Sequence, residues 1–468
     1  MTNIENIKQI KPGAKIFFSG IGGSAMNAMA KLLKNEGFNI SGSDPNIDPV
    51  IKERLNKEAI DVYTIQDGSY INSDITFIIA TAAIPPQNPD ILKASSLNIP
   101  VIKYAKMLGI IMNSFTGIAI AGTHGKTTTS AMTVQALSCD GQTPSFIIGG
   151  NVKSKDNGSR LGHELFIAEA CEYDRSFLNL KPVVAVITNI EEDHLDIYSG
   201  IDDIIDTFKQ FINQIDKNGA LVYCIDSDAA AIAASLAECR TIPYGFSQKA
   251  ELRAENIKSD HESNSFDVIY KGQKISEISL SMPGAHNILN ALAVIGTGIA
   301  LNKDVQAMSK ALKEYQGVGR RFEKYGTAGE ITVIDDYAHH PTEIKALLKG
   351  VKERYPKNRI VVLFQPHQIS RTKLLFDDFA KSFTDADQVF ISKIYAARDK
   401  TSDETITGIA LSEKINSNGV KSQYCQNLEE SEKTVSSFLK KGDIFLTAGA
   451  GDVFKVAQKI WDDLNKKI

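Results

Sequence analysis

One segment of the chain carries the clearest structural signal: Gly122-Thr123-His124-Gly125-Lys126-Thr127-Thr128-Thr129. It follows an apolar run at 117–121 and precedes a run typical of a helix at 128–137. Glycines let backbone N–H groups approach phosphate oxygens, and the following helix N-terminus adds a partial positive charge. The segment therefore predicts a phosphate loop, in which Lys126 contacts the β- and γ-phosphates of a nucleotide and the Thr127 hydroxyl binds Mg²⁺.

The match to the general phosphate-loop pattern is incomplete. Ile120 stands where the usual spacing has its first glycine. The alternative interpretation is a glycine turn before a helix, with Lys126 and Thr127 as ordinary surface residues. The position of the loop between an apolar strand and a helix favours nucleotide binding.

Two further segments of the chain have a similar strand-then-helix order. The run Lys15–Ser19 precedes Gly20-Ile21-Gly22-Gly23 and a helical segment, and Ile331–Ile334 precedes Asp335-Asp336 and a helix near Pro341. Alternation of this kind predicts an α/β fold with parallel sheets. The polar, alternating stretch 247–281 instead predicts antiparallel strands. At roughly 150 residues per domain, the 468 residues predict three domains, with boundaries near 115 and 320.

The first glycine loop resembles a dinucleotide-binding turn. Gly20, Gly22 and Gly23 follow a predicted strand, and Asp44 lies 22 residues after Gly22. An acidic residue at about this distance meets a ribose hydroxyl in dinucleotide folds. The alternative interpretations are a tight turn that only packs a helix on the sheet, or a site for NAD in an oxidoreductase.

Composition excludes several other classes of protein. Lys plus Arg number 52 and Asp plus Glu 56, so the net charge is −4 and no basic surface for nucleic acid is indicated. The apolar runs are far shorter than the roughly 20 residues of a membrane-spanning helix, and the N-terminus has no signal-peptide pattern. The five scattered cysteines favour free thiols over a disulfide or zinc framework, so we expect a cytoplasmic protein.

Polar residues after other predicted strands suggest a metal site and a second substrate site. Glu169 to Glu172 and Glu191 to His194 each follow an apolar run, and strand ends of one parallel sheet meet at one edge. We therefore expect Mg²⁺ ligands among them, solvated acidic loops being the alternative. Helix capping by Asn287 is the ordinary explanation for the segment 286–290. Polar turns or surface ion pairs are the ordinary explanation for the Arg, His and Asp groups at 320–342 and 364–372.

Taken together, these segments resemble the Mur ligase family of ATP-dependent amide-bond-forming enzymes. The resemblance runs from Gly20 to Asp452, and within the family it is nearest to members that add L-alanine to UDP-N-acetylmuramate. Its motifs are 20–23, 122–129, 188–194, Pro283-Gly284 with His286-Asn287, 317–323, 335–343, 364–372, Ile394-Tyr395-Ala396-Ala397-Arg398 and 448–452.

The resemblance implies a domain architecture. The N-terminal domain, 1–115, would be Rossmann-like and bind the UDP-sugar. The central domain, 116–320, would be a P-loop ATPase-type mononucleotide-binding domain. The C-terminal domain, 321–468, would be Rossmann-like and contribute to amino-acid and ATP binding.

The resemblance also implies roles for individual residues. Catalysis would use Lys126, His194 and Arg321. ATP would be bound by Gly122, Thr123, His124, Gly125, Lys126, Thr127, Thr128, Asn290, Arg321 and Asp336. The metal ligands would be Thr127, Glu169 and His194. The UDP-sugar would be bound by Gly20, Gly22, Gly23 and Asp44. The amino acid and the reacting end of the sugar would be bound by Tyr337, His339, His367 and Arg371.

The activity implied is ATP-dependent joining of L-alanine to the carboxylate of UDP-N-acetylmuramate, with Mg²⁺, in bacterial peptidoglycan precursor synthesis. The alternative within the family joins a murein tripeptide to the same sugar nucleotide. The alternatives outside it are the NAD-dependent oxidoreductase and a non-catalytic ATP-dependent switch. Some Mur ligases carry a carbamylated lysine near the metals, and Lys209 lies at a suitable distance from His194, but this subgroup is not known for that feature. Nothing in the sequence specifies an oligomeric state.

Overall fold

Three β-sheets follow one another along the part of the chain that the structure, a computed structural model, describes. The residues described are 4–141, 143–150, 159–160, 162, 164–195, 197–259, 263–282, 284–396, 403 and 405–466. Two parts of the motifs quoted above, Pro283 and 397–398, lie outside them. Short 3₁₀ segments occur at Ile7–Gln9, Cys139–Gly141 and Tyr173–Asn179.

The first sheet is parallel and has the strand order β3-β2-β1-β4-β5. Its strands are β1 Lys15–Ser19, β2 Asn39–Ser43, β3 Asp61–Tyr63, β4 Phe77–Ala80 and β5 Val101–Lys103. Its helices are α1 Ser24–Asn35, α2 Pro49–Lys57, α3 Pro89–Ser96 and α4 Tyr104–Met112. Asp48 and Asn88 cap α2 and α3 through their side chains, and each precedes a proline suited to the first helical position.

The middle sheet has the strand order β15-β14-β13-β12-β11-β10-β6-β9-β7-β8. Its strands are β6 Thr116–Ala121, β7 Ser145–Ile147, β8 Ser159–Arg160, β9 Leu165–Glu169, β10 Val184–Ile187, β11 Ala220–Cys224, β12 Arg240–Gly245, β13 Leu252–Ser259, β14 Asn264–Tyr270 and β15 Gln273–Leu280. Its helices are α5 Lys126–Leu137, α6 Ile201–Ile212, α7 Asp228–Ala234, α8 Ala285–Ala300 and α9 Val305–Lys313. Strand β6 lies between β10 and β9 and is parallel to both, so their carboxyl ends share one edge. The antiparallel strands predicted in 247–281 are confirmed as β13 to β15.

The third sheet has the strand order β16-β17-β21-β18-β19-β20, with β16 antiparallel to β17 and the other pairs parallel. Its strands are β16 Glu323–Ala328, β17 Ile331–Asp336, β18 Ile360–Phe364, β19 Gln388–Ile391, β20 Ser422–Tyr424 and β21 Ile444–Ala448. Its helices are α10 Pro341–Arg354, α11 Ile369–Leu374, α12 Phe376–Ala380, α13 Gly408–Ser417, α14 Leu428–Phe438 and α15 Phe454–Asn465. The helix predicted near Pro341 is confirmed as α10, which begins with a capping box of His340 and Glu343.

The packing between sheets differs from one boundary to the next. One apolar cluster contains Phe18 and Met107 from the first sheet and α4 together with Phe208 and Phe211 of α6. The third sheet has apolar clusters of its own. Polar side chains, described below, meet across the boundary between the middle and third sheets. In the part of the chain that is described, no helix combines the length and apolar character needed to cross a bilayer.

Candidate active site

The phosphate loop connects the carboxyl end of β6 to the first turn of α5. Gly125 precedes the helix with a φ of 82°, in the left-handed region that glycine adopts without strain. A Cβ atom at this position would lie 2.8 Å from Oδ1 of Asn290. The loop backbone therefore runs close to α8, and a side chain at Gly125 would disturb both elements.

Lys126 lies buried at the start of α5. Its Nζ donates to the carbonyl oxygens of Gly122 and Thr123 and to Oε1 of Glu172, which is 2.9 Å away. Burial alone would lower the pKa of Lys126, but the charge of Glu172 outweighs it and raises the pKa. The lysine is therefore a cation at neutral pH, held at the loop by three oxygen acceptors.

Thr127 and Glu169 bring two oxygen groups together beside the loop. Thr127 Oγ1 donates to Glu169 Oε2 at 3.1 Å, and the other carboxylate oxygen accepts from Gly149 N at 2.8 Å. Burial raises the pKa of Glu169, so a nearby cation would stabilise its charged form. A hydroxyl and a carboxylate are ligands that Mg²⁺ prefers. The pair thus fits the predicted metal site.

His194 lies near the same group of charges. Its Nε2 is 3.9 Å from Glu172 Oε1 and 3.7 Å from Asp193 Oδ2. The backbone of this residue has a φ of 55°, in the left-handed region that residues other than glycine adopt uncommonly. Lys126, Glu172 and His194 therefore form one cluster.

A cleft of about 380 Å³ lies between the middle and third sheets, next to the loop. Residues of both sides line it, among them His124, Gly125, Thr128, Asn287, Asn290, Arg321, Asp336 and Glu343. The expectation that Asn287 caps a helix is wrong, because α8 begins at Ala285 after Gly284 and Asn287 lies buried in its first turn. Asn290 is also buried and accepts a hydrogen bond from Thr129 Oγ1 at 3.1 Å.

Two predicted ATP residues enter this cleft from the third sheet. Arg321 has its Nη1 3.7 Å from Glu343 Oε1 and its guanidinium 5.0 Å from the centre of the Tyr337 ring. The Asp336 carboxylate accepts from the backbone N–H groups of Phe322 and Ala338 at 2.6 and 2.7 Å. Burial raises the pKa of Asp336 to about 6. Asp336 thus fixes the backbone directly after Arg321 and directly after Tyr337. Its side chain also lines the cleft.

The predicted amino-acid residues also lie together. The ring centre of His339 is 5.3 Å from that of Tyr337 and 5.9 Å from that of His367. Arg371 Nη1 is 3.3 Å from His367 Nδ1. Burial lowers the pKa of His339 to about 3 and that of His367 to about 4, so both rings are neutral at physiological pH.

Arg371 connects this group to the middle sheet. Its Nε and Nη2 donate to Asp193 Oδ1 at 3.2 and 3.0 Å. Burial would raise the pKa of Asp193, but the charges of His194 and Arg371 outweigh it and hold the pKa well below its usual range. Asp193 is followed directly by His194. The predicted amino-acid site, which contains Arg371, and the predicted metal site, which contains His194, therefore meet at residues 193–194.

The first glycine loop lies apart from this cleft and does not line it. Gly22 N donates to Asp44 Oδ2 at 3.0 Å, so the two ends of the predicted nucleotide turn are in contact. Gly20 has a φ of 86°, as a tight turn after β1 requires. Lys209 lies in α6, where its Nζ is 2.8 Å from Asp206 Oδ1.

Several polar partners in the site were not selected from the sequence. Glu172 and Asp193 belong to the segments in which the sequence predicts Mg²⁺ ligands, whereas in the structure they pair with Lys126 and Arg371. Glu343 was quoted within a motif without a role. A glutamate at the third position of a helix that begins at a proline is typical of a helix N-terminus, and that signal could have identified it.

Comparison with known proteins extends over all three sheets. The model "Mur ligase family, catalytic domain" matches residues 15–116, "Mur ligase middle domain" matches 120–298, and "Mur ligase, glutamate ligase domain" matches 320–451. The UDP-N-acetylmuramate–L-alanine ligase of Clostridium acetobutylicum is 42% identical over 95% of this chain and 96% of its own length. The enzyme of the same name from Geotalea daltonii is 41% identical over 97% and 98%.

Solved structures agree with these matches. The UDP-N-acetylmuramate–alanine ligase of Thermotoga maritima superposes with a TM-score of 0.84 at 28% identity, over 97% of this chain and all of that one. A murein peptide ligase from Psychrobacter arcticus shares the fold, with a TM-score of 0.72 at 23% identity, over 97% of this chain and all of that one. Because the sequence matches span every sheet and include relatives more than 40% identical, the chain belongs to the Mur ligase family.

Proposed function

We propose that the chain is an ATP-dependent ligase that joins L-alanine to the carboxylate of UDP-N-acetylmuramate in bacterial peptidoglycan precursor synthesis. The observation that carries the proposal is that residues 193–194 contact both the predicted amino-acid site and the carboxylate beside Lys126. Arg371, from the predicted amino-acid site, binds Asp193, and His194 lies 3.9 Å from the carboxylate that binds Lys126. Lys126, which would bind phosphate, and Arg371, which would bind a carboxylate of the substrates, therefore lie near the same short segment.

The chemistry follows from the two substrates. An oxygen of the sugar carboxylate attacks the γ-phosphorus of ATP, the bond to the β-phosphate oxygen breaks, and ADP leaves. The resulting acyl phosphate has a good leaving group, which the carboxylate itself lacks. The neutral amine of L-alanine then attacks the acyl carbon, the carbon–oxygen bond to phosphate breaks, and the amine releases one proton. The products are the amide, ADP and phosphate.

The proposed contribution of the protein to these steps is positioning and charge neutralisation. Lys126 and Arg321 would approach the transferring phosphoryl group from the middle and third sheets. Asn290 would contact the adenine and Asp336 the ribose. The neutral rings of His339 and His367, beside Arg371, would receive the amino acid without adding a charge that repels its ammonium group.

We include Mg²⁺ in the proposal because a hydroxyl and a carboxylate, the oxygen ligands that it prefers, lie beside the loop. Thr127, Glu169 and His194 would hold the ion, which supplies neutralisation of the charge on the phosphate oxygens when bound. Thr127 Oγ1 and Glu169 Oε2 are already 3.1 Å apart and lie next to the lysine of the loop.

The other assignments follow the same division of the chain. We propose that 1–115 binds the UDP-sugar through Gly20, Gly22, Gly23 and Asp44, that 116–320 binds ATP, and that 321–468 contributes the amino-acid site. We also propose a cytoplasmic location, because ATP and nucleotide sugars are cytoplasmic substrates.

The relatives support L-alanine as the amino acid. Those at 41% and 42% identity are named as L-alanine ligases, whereas the murein peptide ligase at 23% identity supports only the fold. Joining a tripeptide to the same sugar nucleotide therefore has less support.

The test is phosphate release from ATP and Mg²⁺ with UDP-N-acetylmuramate and one amine at a time: L-alanine, glycine, L-serine or the murein tripeptide. We expect the highest kcat/KM with L-alanine. Faster release with the tripeptide would assign the chain to recycling, and no release with any amine would overturn the ligase proposal.

A further inference from the structure

His124 of the phosphate loop lies between two carboxylates from different parts of the chain. Its Nδ1 is 3.3 Å from Oε1 of Glu343 in the third sheet's helix α10, and its Nε2 is 3.5 Å from Oε2 of Glu191 after β10. The backbone of His124 is fixed as well, since its N–H donates to Asn189 Oδ1 at 2.9 Å and its carbonyl accepts from Thr188 Oγ1 at 2.6 Å. The ring is therefore held by groups on both sides of the cleft.

Glu343 joins the helix cap to the ATP site. Its Oε2 accepts from the backbone N–H groups of His339 and His340 at 3.0 and 3.3 Å, which starts α10. Its Oε1 faces His124 and lies 3.7 Å from Arg321 Nη1. Burial would raise the pKa of Glu343, but the neighbouring His339 and His124 rings and the Arg321 guanidinium outweigh it and hold the pKa well below its usual range. One carboxylate thus contacts two groups that would meet ATP.

The neighbouring His340 argues against a metal ion at this position. The ligand atoms of His124, Glu191 and His340 lie within 4.8 Å of one another. However, His340 Nδ1 accepts from the backbone N–H of Thr342 at 3.3 Å, so the proton of the neutral ring is on Nε2. A metal ligand needs a lone pair on that atom. The group therefore acts as a set of charges and donors.

We propose that Glu343 is a positioning residue that, when the third domain closes over ATP, fixes the charged His124 ring beside the phosphates as a second cation next to Lys126. The inference rests on the proposed ATP-dependent function. Its geometric basis is that Glu343, on the third sheet's side of the cleft, lies 3.3 Å from His124 and 3.7 Å from Arg321. Closure would then complete the phosphate site as well as cover it.

The charge on His124 depends on its neighbours. Burial lowers its pKa, but the carboxylates of Glu191 and Glu343, at 3.5 and 3.3 Å from the two ring nitrogens, outweigh this and raise the pKa to about 9. The other charged or titratable groups beside it are Arg321, which neutralises part of Glu343, and His340, whose own pKa is lowered. Because the pKa is raised where Glu191 and Glu343 face the ring, the stabilisation is fully present below about pH 6.5 and is lost as the pH rises through about 9.

The test variant is Glu343→Gln. Glutamine keeps the acceptor that starts α10 but removes the charge beside His124. We expect kcat/KM for ATP at pH 8 to fall at least tenfold, with KM for UDP-N-acetylmuramate changed less than twofold. We also expect the upper inflection of the pH profile to move down by one unit or more. Glu330→Gln, which removes a surface carboxylate paired with Lys441, is the matched control and should change neither value.

A double-mutant cycle separates positioning from a merely structural role. His124→Gln should lose the upper inflection, and Glu343→Gln added to it should have little further effect. If the losses of kcat/KM for ATP in the two single variants multiply in the double variant, the inference is overturned. It is also overturned if Glu343→Gln leaves both kcat/KM for ATP and the upper inflection unchanged.

A binding experiment makes the inference independent of turnover. Calorimetry of a non-hydrolysable ATP analogue, in two buffers of different ionisation enthalpy at pH 8.5, reports the protons taken up on binding. We expect uptake by the wild-type protein and less uptake by Glu343→Gln. Equal uptake by both would contradict the role of Glu343, whereas a wild-type protein that binds ATP but releases no phosphate with any amine would contradict only the proposed reaction.

Discussion

The buried pair of Lys126 and Glu172 leads to a prediction about both stability and catalysis. The Lys126 side chain is 15% exposed and the Glu172 side chain 4%, with 2.9 Å between Nζ and Oε1. Methionine at position 126 keeps the aliphatic part of the side chain but leaves the Glu172 carboxylate buried without a counter-charge. Removing one partner of a buried pair costs about 3–5 kcal/mol, so we expect Lys126→Met to lower the free energy of unfolding by about 3 kcal/mol.

The activity should fall for a separate reason. Loss of one fixed group that stabilises the transferring charge lowers kcat by about 10²–10³-fold in known enzymes. Phosphate release should therefore fall at least a hundredfold in Lys126→Met. The double variant Lys126→Met, Glu172→Gln removes both charges, so it should regain most of the lost unfolding free energy and none of the activity.

The assays are denaturant unfolding for stability and coupled phosphate release for turnover. Lys441→Met, in a pair exposed to solvent, is the control and should change both values little. Retention of a tenth of the activity by Lys126→Met would refute the assignment of the phosphate loop. Equal stability of the single and double variants would refute the buried pairing.

Four further changes test other parts of the site. Arg371→Lys should raise KM for L-alanine at least tenfold, because one ammonium cannot replace the paired donors that now meet Asp193; an unchanged KM would exclude Arg371 from that site. Gly125→Ala should weaken ATP binding more than tenfold, since φ is 82° and the added Cβ meets Asn290; isothermal calorimetry measures it, and wild-type affinity would contradict the loop geometry. Chelation of Mg²⁺ should abolish turnover, and Glu169→Gln should raise the Mg²⁺ concentration for half-maximal rate; an unshifted Mg²⁺ titration would remove Glu169 from the ligands.

The order of strands and helices follows directly from the sequence because the signals are local. Ile118 and Ile120 of β6 are fully buried, and the glycines after them mark the turn to α5. A covered strand, a glycine turn and a helix are all visible within about 20 residues, so the α/β class and the glycine turn between β6 and α5 could be predicted.

The partners of the site residues could not be predicted in the same way. Lys126 and Glu172 are 46 residues apart, and Asp193 and Arg371 are 178 residues apart. The pairing of carboxylates with cations depends on how the sheets pack. No local sequence pattern predicts that pairing. The wrong expectation for Asn287 has the same origin, because Gly284 starts α8 earlier than the asparagine suggests.

The two domain boundaries suggest how the site closes. An apolar cluster joins the first and middle parts of the chain, whereas the described contacts across the cleft between the middle and third sheets include polar ones, such as Thr342 Oγ1 to Glu191 Oε2 at 2.8 Å. Polar contacts exchange with water at little net cost. We therefore expect the third domain to move against the other two during turnover, as lids over active sites do.

The central claim is that the phosphate loop activates a carboxylate as an acyl phosphate. It is tested most directly with UDP-N-acetylmuramate that carries ¹⁸O in both carboxylate oxygens, incubated with ATP, Mg²⁺ and L-alanine. Mass spectrometry of the released phosphate should then find one ¹⁸O atom per molecule of amide formed, because the carboxylate oxygen that attacks phosphorus leaves with it. Unlabelled phosphate alongside amide formation would contradict the account.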